Sequence, residues 1–220
     1  MAEYTAHDLS EERLKQAAEA FVRQGVDIRT RVHDLTLAAL KSRKFDRDAM
    51  RDVYRAITAG VATGAENLPD MRQALADGLK GMDEALARSA QAGASALKQL
   101  ASTGRSFSDG ELKGALANLK KLEDDFVTTV TQVADAAGSK VQPELRGALG
   151  NLLHTGTETG KQLALTMNEL THSFANFSID ATLAGLEVAS EFGARFANLA
   201  SGILSGVSDA LQKKNEPPKT

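Results

Sequence analysis

From Leu14 to Leu211, apolar residues return at alternating steps of three and four with almost no interruption. Leu14, Ala18, Phe21, Gly25, Ile28, Val32, Leu35 and Ala39 form one unbroken row of this kind. On an α-helix such spacing gathers every member onto one stripe, whereas a strand would scatter them over both faces. A stripe of that length has to be covered, by other helices or by an apolar surface. The pattern predicts an all-α fold, an elongated bundle of about five or six amphipathic helices with coiled-coil-like packing.

Little in the composition opposes this. Of four prolines, Pro217 and Pro218 sit close to the C-terminus, leaving Pro69 and Pro143 as interior helix breakers. Most other positions hold good helix formers. At 220 residues the chain can build one domain or two small ones. With no Cys, disulfides and thiolate metal sites are excluded. Met1 to Ser10 is polar and carries no secretory h-region. No run reaches the roughly 18 apolar residues of a spanning helix. These features lead us to expect a cytoplasmic protein, free or associated with an inclusion or membrane surface. A net charge of −3 provides no general attraction to nucleic acid or anionic lipid.

The periodic segments are punctuated as follows. A first helix is expected from Ser10, its N-cap, to about Ser42. Asp46 would cap a second, with Phe45 and Met50 as a hydrophobic staple and Met50, Val53, Ile57, Val61 and Ala65 inward. Asn67-Leu68-Pro69-Asp70 ends it. A third helix reaches Ser102, with Met71, Leu75, Leu79, Met82, Leu86, Ala90, Gly93, Leu97 and Leu100 inward, and Gly104 closes it. Ser108 and Glu111 stand at capping-box spacing, flanked by Phe107 and Leu112. They open a fourth helix carrying Leu112, Leu116, Leu119, Phe126, Val130 and Val133 and ending at Gly138-Ser139. Pro143 suits the first turn of a fifth, read as continuous through Leu145, Leu149, Leu152, Leu163, Met167 and Leu170 to Phe174. A last helix spans roughly Asp180 to Gln212. On this reading residues 1–66 form a charged helical hairpin and 67–211 an Ala/Gly-rich bundle with charge-poor C-terminal helices. Residues 212–220 form a disordered tail.

Charge is divided unevenly. Residues 1–125 hold 20 acidic and 19 basic side chains, whereas 126–211 hold eight and four. The front half therefore reads as a solvated, ion-paired surface and the back half as more deeply covered.

Most candidates for chemistry dissolve on inspection. Glu169 and His172 have the E-x-x-H spacing of carboxylate-bridged di-iron bundles, but those need a second such pair and two further Glu. On one continuous helix His154 and His172 would lie roughly 27 Å apart and could not share a metal. His7 and His33 have no partners at ligand spacing. Arg47, Arg51 and Arg55 line up near Lys41, Arg43 and Lys44 as a conceivable anion or nucleic-acid face. The interleaved Asp46, Asp48 and Asp52 favour paired charges instead. No Walker A loop, dinucleotide fingerprint or nucleophile elbow occurs. The sequence predicts no catalytic residue, metal or cofactor.

What stands out is a row of small residues at spacing four: Ala181, Gly185, Ala189, Gly193, Ala197, Ser201 and Ser205. Gly202 and Gly206 add a GxxxG pair, and Gly156 with Gly160 supplies another. Such rows let helix backbones approach closely. The same segment confines Glu187, Glu191, Arg195, Asn198 and Asp209 to a narrow strip, and the remaining circumference is apolar or small. The helix is either sandwiched internally or laid on an apolar surface with its strip in water. The residues expected to pack or to meet that surface are Leu183, Gly185, Leu186, Ala189, Gly193, Phe196, Leu199, Gly202, Ile203, Gly206 and Val207.

In size, lack of Cys, Ala/Leu/Gln/Lys-rich helices such as Gln73 to Ser102, and a charge-poor amphipathic region, the chain resembles phasins, which coat polyhydroxyalkanoate granules. The segment Val32 to Leu40 is also similar to bacterial helical proteins of no assigned activity. The phasin resemblance implies a non-enzymatic, self-associating coat on a hydrophobic granule or neutral lipid surface, acting as a homo-oligomer. A scaffold or adaptor bundle whose last helix is an internal strut is the alternative. A helical pore-forming or membrane-remodelling protein is a third reading.

Overall fold

The computed structural model describes residues 10–42, 47–102 and 109–174; within its helices, side chains at 100–102, 109–117, 120 and 170–174 lie outside the description. The described residues form seven helices and no strand. They are α1 (Glu11–Gln24), α2 (Ile28–Lys41), α3 (Arg47–Ala65), α4 (Met71–Ser102), α5 (Asp109–Ala136), α6 (Gln142–Thr155) and α7 (Glu158–Phe174). The fold is an all-α multi-helix bundle. Its core is one contiguous cluster running from Leu14 on α1 to Leu163 on α7.

The apolar rows pack as their spacing implies. Met50, Val53, Ile57, Val61 and Ala65 are buried on α3. Leu75, Leu79, Met82, Leu86, Ala90 and Leu97 are buried on α4, and Leu119, Phe126 and Val130 on α5. Helix α4 packs against α2, α3, α5, α6 and α7 and forms the axis of the bundle. Helix α1 lies mainly on α3. Asp46 with its staple and the Phe107–Ser108 cap fall outside the described residues, as do the side chains of Leu100, Glu111, Leu112, Leu116 and Leu170.

Two helices expected to be continuous are broken, which raises the number above five or six. Ser10 does cap α1, its Oγ accepting from the Arg13 amide at 3.4 Å. The helix then stops at Gly25, which adopts a left-handed conformation at φ 67° and donates its amide to the Val22 carbonyl. Asp27 is also left-handed at φ 50°. Glycine enters that region without steric cost and Asp tolerates it, so the chain turns here although the apolar spacing carries on past it. The corner is pinned from outside. Arg31 stacks 4.1 Å from the centroid of the Phe21 ring and donates to Gln24 Oε1 at 2.6 Å. The second break, at Gly156, bears on the candidate site below.

Close helix approach occurs at Gly60 and Gly64 on α3, a small-xxx-small pair not anticipated from the sequence. A Cβ at Gly60 would lie 2.8 Å from the Ala18 Cβ and against the Lys15 carbonyl. One at Gly64 would lie 2.7 Å from the Glu19 carbonyl oxygen and 2.8 Å from the Val22 Cβ. Partner positions advance together, so α1 and α3 run in the same direction at backbone contact. By contrast, a Cβ at Gly150, exposed on α6, would meet nothing within 4 Å.

These two glycines should respond oppositely to substitution. Gly60→Leu must force α1 off α3 and should cost about 1–3 kcal/mol or more. Gly150→Ala gains helix propensity in open space, up to about 1 kcal/mol, raising Tm by about 2–4 °C. Thermal unfolding followed by circular dichroism checks both. Equal shifts of one sign would contradict the packing.

Candidate functional site

The residues singled out between Leu183 and Val207 lie outside the described residues. The structure does place the helices that lead to them. Helix α6 begins with Pro143 in its first turn, as its fixed φ favours. It buries Leu145, Ala148 and Leu149. Its outer side exposes Gly147, Gly150, Asn151, Leu153 and His154. Two ion pairs fasten it, Arg146 with Asp135 of α5 and Glu144 with Arg72 of α4, the latter at 2.7 Å.

Helix α6 ends at Gly156, where φ 80° and ψ 130° take the chain out of helical space. Residues 143–174 therefore make two helices, not one, and Gly156 and Gly160 are not a GxxxG pair. Gly156 separates the helices, and Gly160 sits in the first turn of α7 against the Glu123 carboxylate. The 27 Å separation assigned to His154 and His172 assumed a continuous helix and does not apply. The signal that could have marked the break is Gly156-Thr157, a C-cap glycine followed directly by an N-cap residue.

The start of α7 is held by side chains from two other helices. Thr157 Oγ1 accepts from the Gly160 amide at 2.9 Å and donates to Glu123 Oε1 of α5. Asp83 of α4, fully buried, accepts from the Glu158 amide at 2.6 Å on Oδ2 and the Thr159 amide at 3.0 Å on Oδ1. Thr159 Oγ1 returns a bond to the Asp83 carbonyl at 3.0 Å. The first amides of any helix lack internal acceptors and carry the positive end of its dipole, so a carboxylate there is favourable. Burial pushes the Asp83 carboxyl above the usual carboxylate range, and its hydrogen bonds oppose that rise. Nothing in the sequence marked Asp83, which reads as an ordinary charge beside Glu84.

Beyond this cradle, α7 turns Thr159, Leu163 and Thr166 inward with Met167 half-buried, and exposes Ala164, Leu165 and Asn168. Leu165 is 62% exposed and Leu153 is 43% exposed. With Val26 at the α1–α2 corner, these are the exposed large hydrophobic residues among those described. Glu169 pairs with Lys98 of α4. The His172 side chain lies outside the description, and no group of three His, Asp or Glu suited to a metal occurs among the described residues.

The arginine row on α3 finds its partners mainly across the bundle. Arg47 meets Asp125 of α5 with Nε at 2.5 Å and Nη2 at 2.7 Å, and Arg51 adds Nη2 at 2.6 Å. Arg55 pairs with Asp52. The two guanidiniums hold the Asp125 carboxyl below the usual range, the Arg47 hydrogen bonds contributing most. Beneath them Tyr54 is fully buried and meets Phe126 edge-on, ring centroids 6.1 Å apart. Burial, with the Asp125 charge, pushes the Tyr54 hydroxyl far up. The sequence suggested paired charges here, but named the neighbouring aspartates and not Asp125.

The chain belongs to a family of unknown function, DUF6781, whose model matches residues 5–213. No curated protein and no solved structure matches it. No described helix is long and apolar enough to cross a membrane.

The arginine clamp predicts a pH signature. A carboxyl held low in the folded state contributes stability above its unfolded pKa of about 3.9, and loses it as pH falls through the lower folded value. Asp125→Asn should lower Tm by a few degrees at pH 7, and the deficit should shrink in acid below about pH 4. A deficit independent of pH would show that the charge contributes nothing.

Proposed function

We propose that this member of the DUF6781 family is a non-enzymatic helical protein that self-associates and coats an apolar surface, in the manner of the phasins it resembles. The region assigned to the surface is 145–211. Helices α1 to α5 serve as the solvated body, and α6 and α7 carry the chain into the charge-poor segment. The observation that carries this reading is where large apolar side chains stay uncovered. Two of the three among the described residues, Leu153 and Leu165, are on α6 and α7. Scattered single leucines are ordinary on any protein surface. Here they precede the wide apolar circumference that the sequence displays between Leu183 and Val207. Net acidity disfavours anionic lipid, so a neutral surface such as a polyester granule is the fitting partner.

Flotation of the purified chain with neutral polyester particles or uncharged liposomes tests the reading. Wild type should float, and Leu165→Asp combined with Leu199→Asp should cut the bound fraction at least several-fold without lowering helicity. Absence of flotation, or an unaffected double variant, would favour the scaffold reading. Leakage of dye from the liposomes would favour the pore-forming one.

A further inference from the structure

Helix α7 is docked differently from the helices it joins. Along α3 and α4 the inward positions are filled by residues such as Met50, Ile57, Leu79, Met82 and Leu86. Over residues 158–169 of α7, Leu163 is the one large apolar side chain that is buried, and Thr159 and Thr166 are buried beside it. The rest of the attachment is polar and concentrated at one end: two amides on the Asp83 carboxylate, the Thr159 hydroxyl on the Asp83 carbonyl, and Thr157 on Glu123. Lys98 with Glu169 is a more exposed fastening farther along. Directly before this end stands Gly156, in a conformation that side-chain-bearing residues rarely adopt.

We infer that α7 is a releasable helix, hinged at Gly156 and latched by Asp83 and Glu123, whose release offers an apolar surface the face of Leu163 and Met167, buried and half-buried in the bundle. Leu163, Met167, Leu170 and Phe174 recur at steps of four, three and four and form one helical face. In the docked state Leu163 is buried and α7 packs mainly on α4. In water the latch holds because its amides and carboxylates satisfy one another. On an apolar surface that face gains a continuous cover, whereas in the bundle the buried side chains of α7 beside Leu163 are its own Thr159 and Thr166, and the helix exchanges one setting for the other. This inference rests on the surface-coating reading and adds to it a closed and an open state.

Two measurements on the full chain test it. In native-state hydrogen exchange, amides of 158–169 should open in a sub-global step at low denaturant while those of α3 and α4 stay protected. Asp83→Ala should speed that step at least ten-fold and leave α3 unchanged. Exchange of α7 only through global unfolding, in wild type and variant alike, would overturn the inference whether or not the protein floats. For the second, Lys98→Cys and Glu169→Cys are joined by a reducible bis-methanethiosulfonate bridge, using the absence of native cysteine. The bridged protein should bind neutral polyester particles at least ten-fold less than its reduced form. Equal binding by both would overturn the release mechanism and leave the coating reading standing. No binding by either form or by wild type would remove the coating reading, and exchange would still decide whether α7 opens.

Discussion

Helix α4 has to be covered on most of its circumference, and the arrangement of the other helices follows from that requirement. Ala92 and Ala94, two positions and therefore about 200° apart on a helix, are both buried. No single neighbour can shield both sides. Helices α2, α3, α5, α6 and α7 share the task. Alanine and glycine suit it, because small side chains let several helix backbones approach one axis where bulky residues would hold them apart. The same economy of volume appears at Gly60 and Gly64, where α1 lies against the α3 backbone.

Polar contacts then decide which helix sits where. Two buried aspartates on different helices act in opposite senses. Asp125 is surrounded by guanidiniums and is more easily ionised in the folded chain. Asp83 is buried against two backbone amides, with no cation bonded to it among the described residues, and burial makes it harder to ionise. Asp125 joins α5 to α3 with a clamp that favours its charge. Asp83 joins α7 to α4 with a cap whose burial carries a cost at neutral pH, a cost that falls away as acid protonates the group. The less comfortable of the two fastenings lies next to the part of the molecule proposed to meet another surface.

The fold was readable from the sequence to the extent that it depends on periodicity. The rows at Met50–Ala65, Leu75–Leu97 and Leu119–Val130 are buried as their spacing requires. Periodicity could not reveal the breaks at Gly25 and Gly156, because a left-handed residue redirects the chain without disturbing the three-and-four spacing on either side. The partners of Arg47, Arg51 and Thr159 were also hidden, since they lie on helices more than 70 positions away in the chain. Local charge patterns pointed to Asp46, Asp48 and Asp52. Arg55 does pair with Asp52 and Arg51 lies 3.9 Å from Asp48, while tertiary packing adds Asp125 as the partner of Arg47 and Arg51. Of the candidate site, its approach through α6 and α7 is described; the row from Leu183 to Val207 rests on sequence pattern.

Thiol labelling tests the burial of α4 on opposing sides most directly. With no native cysteine, Ala92→Cys and Ala94→Cys each report one side of the helix, and Gln91→Cys, at an exposed position, gives the reference rate. Both buried positions should label at least a hundred-fold more slowly than the reference under native conditions. Rapid labelling of either one would mean that α4 is covered on a single flank, and the bundle described here would be wrong.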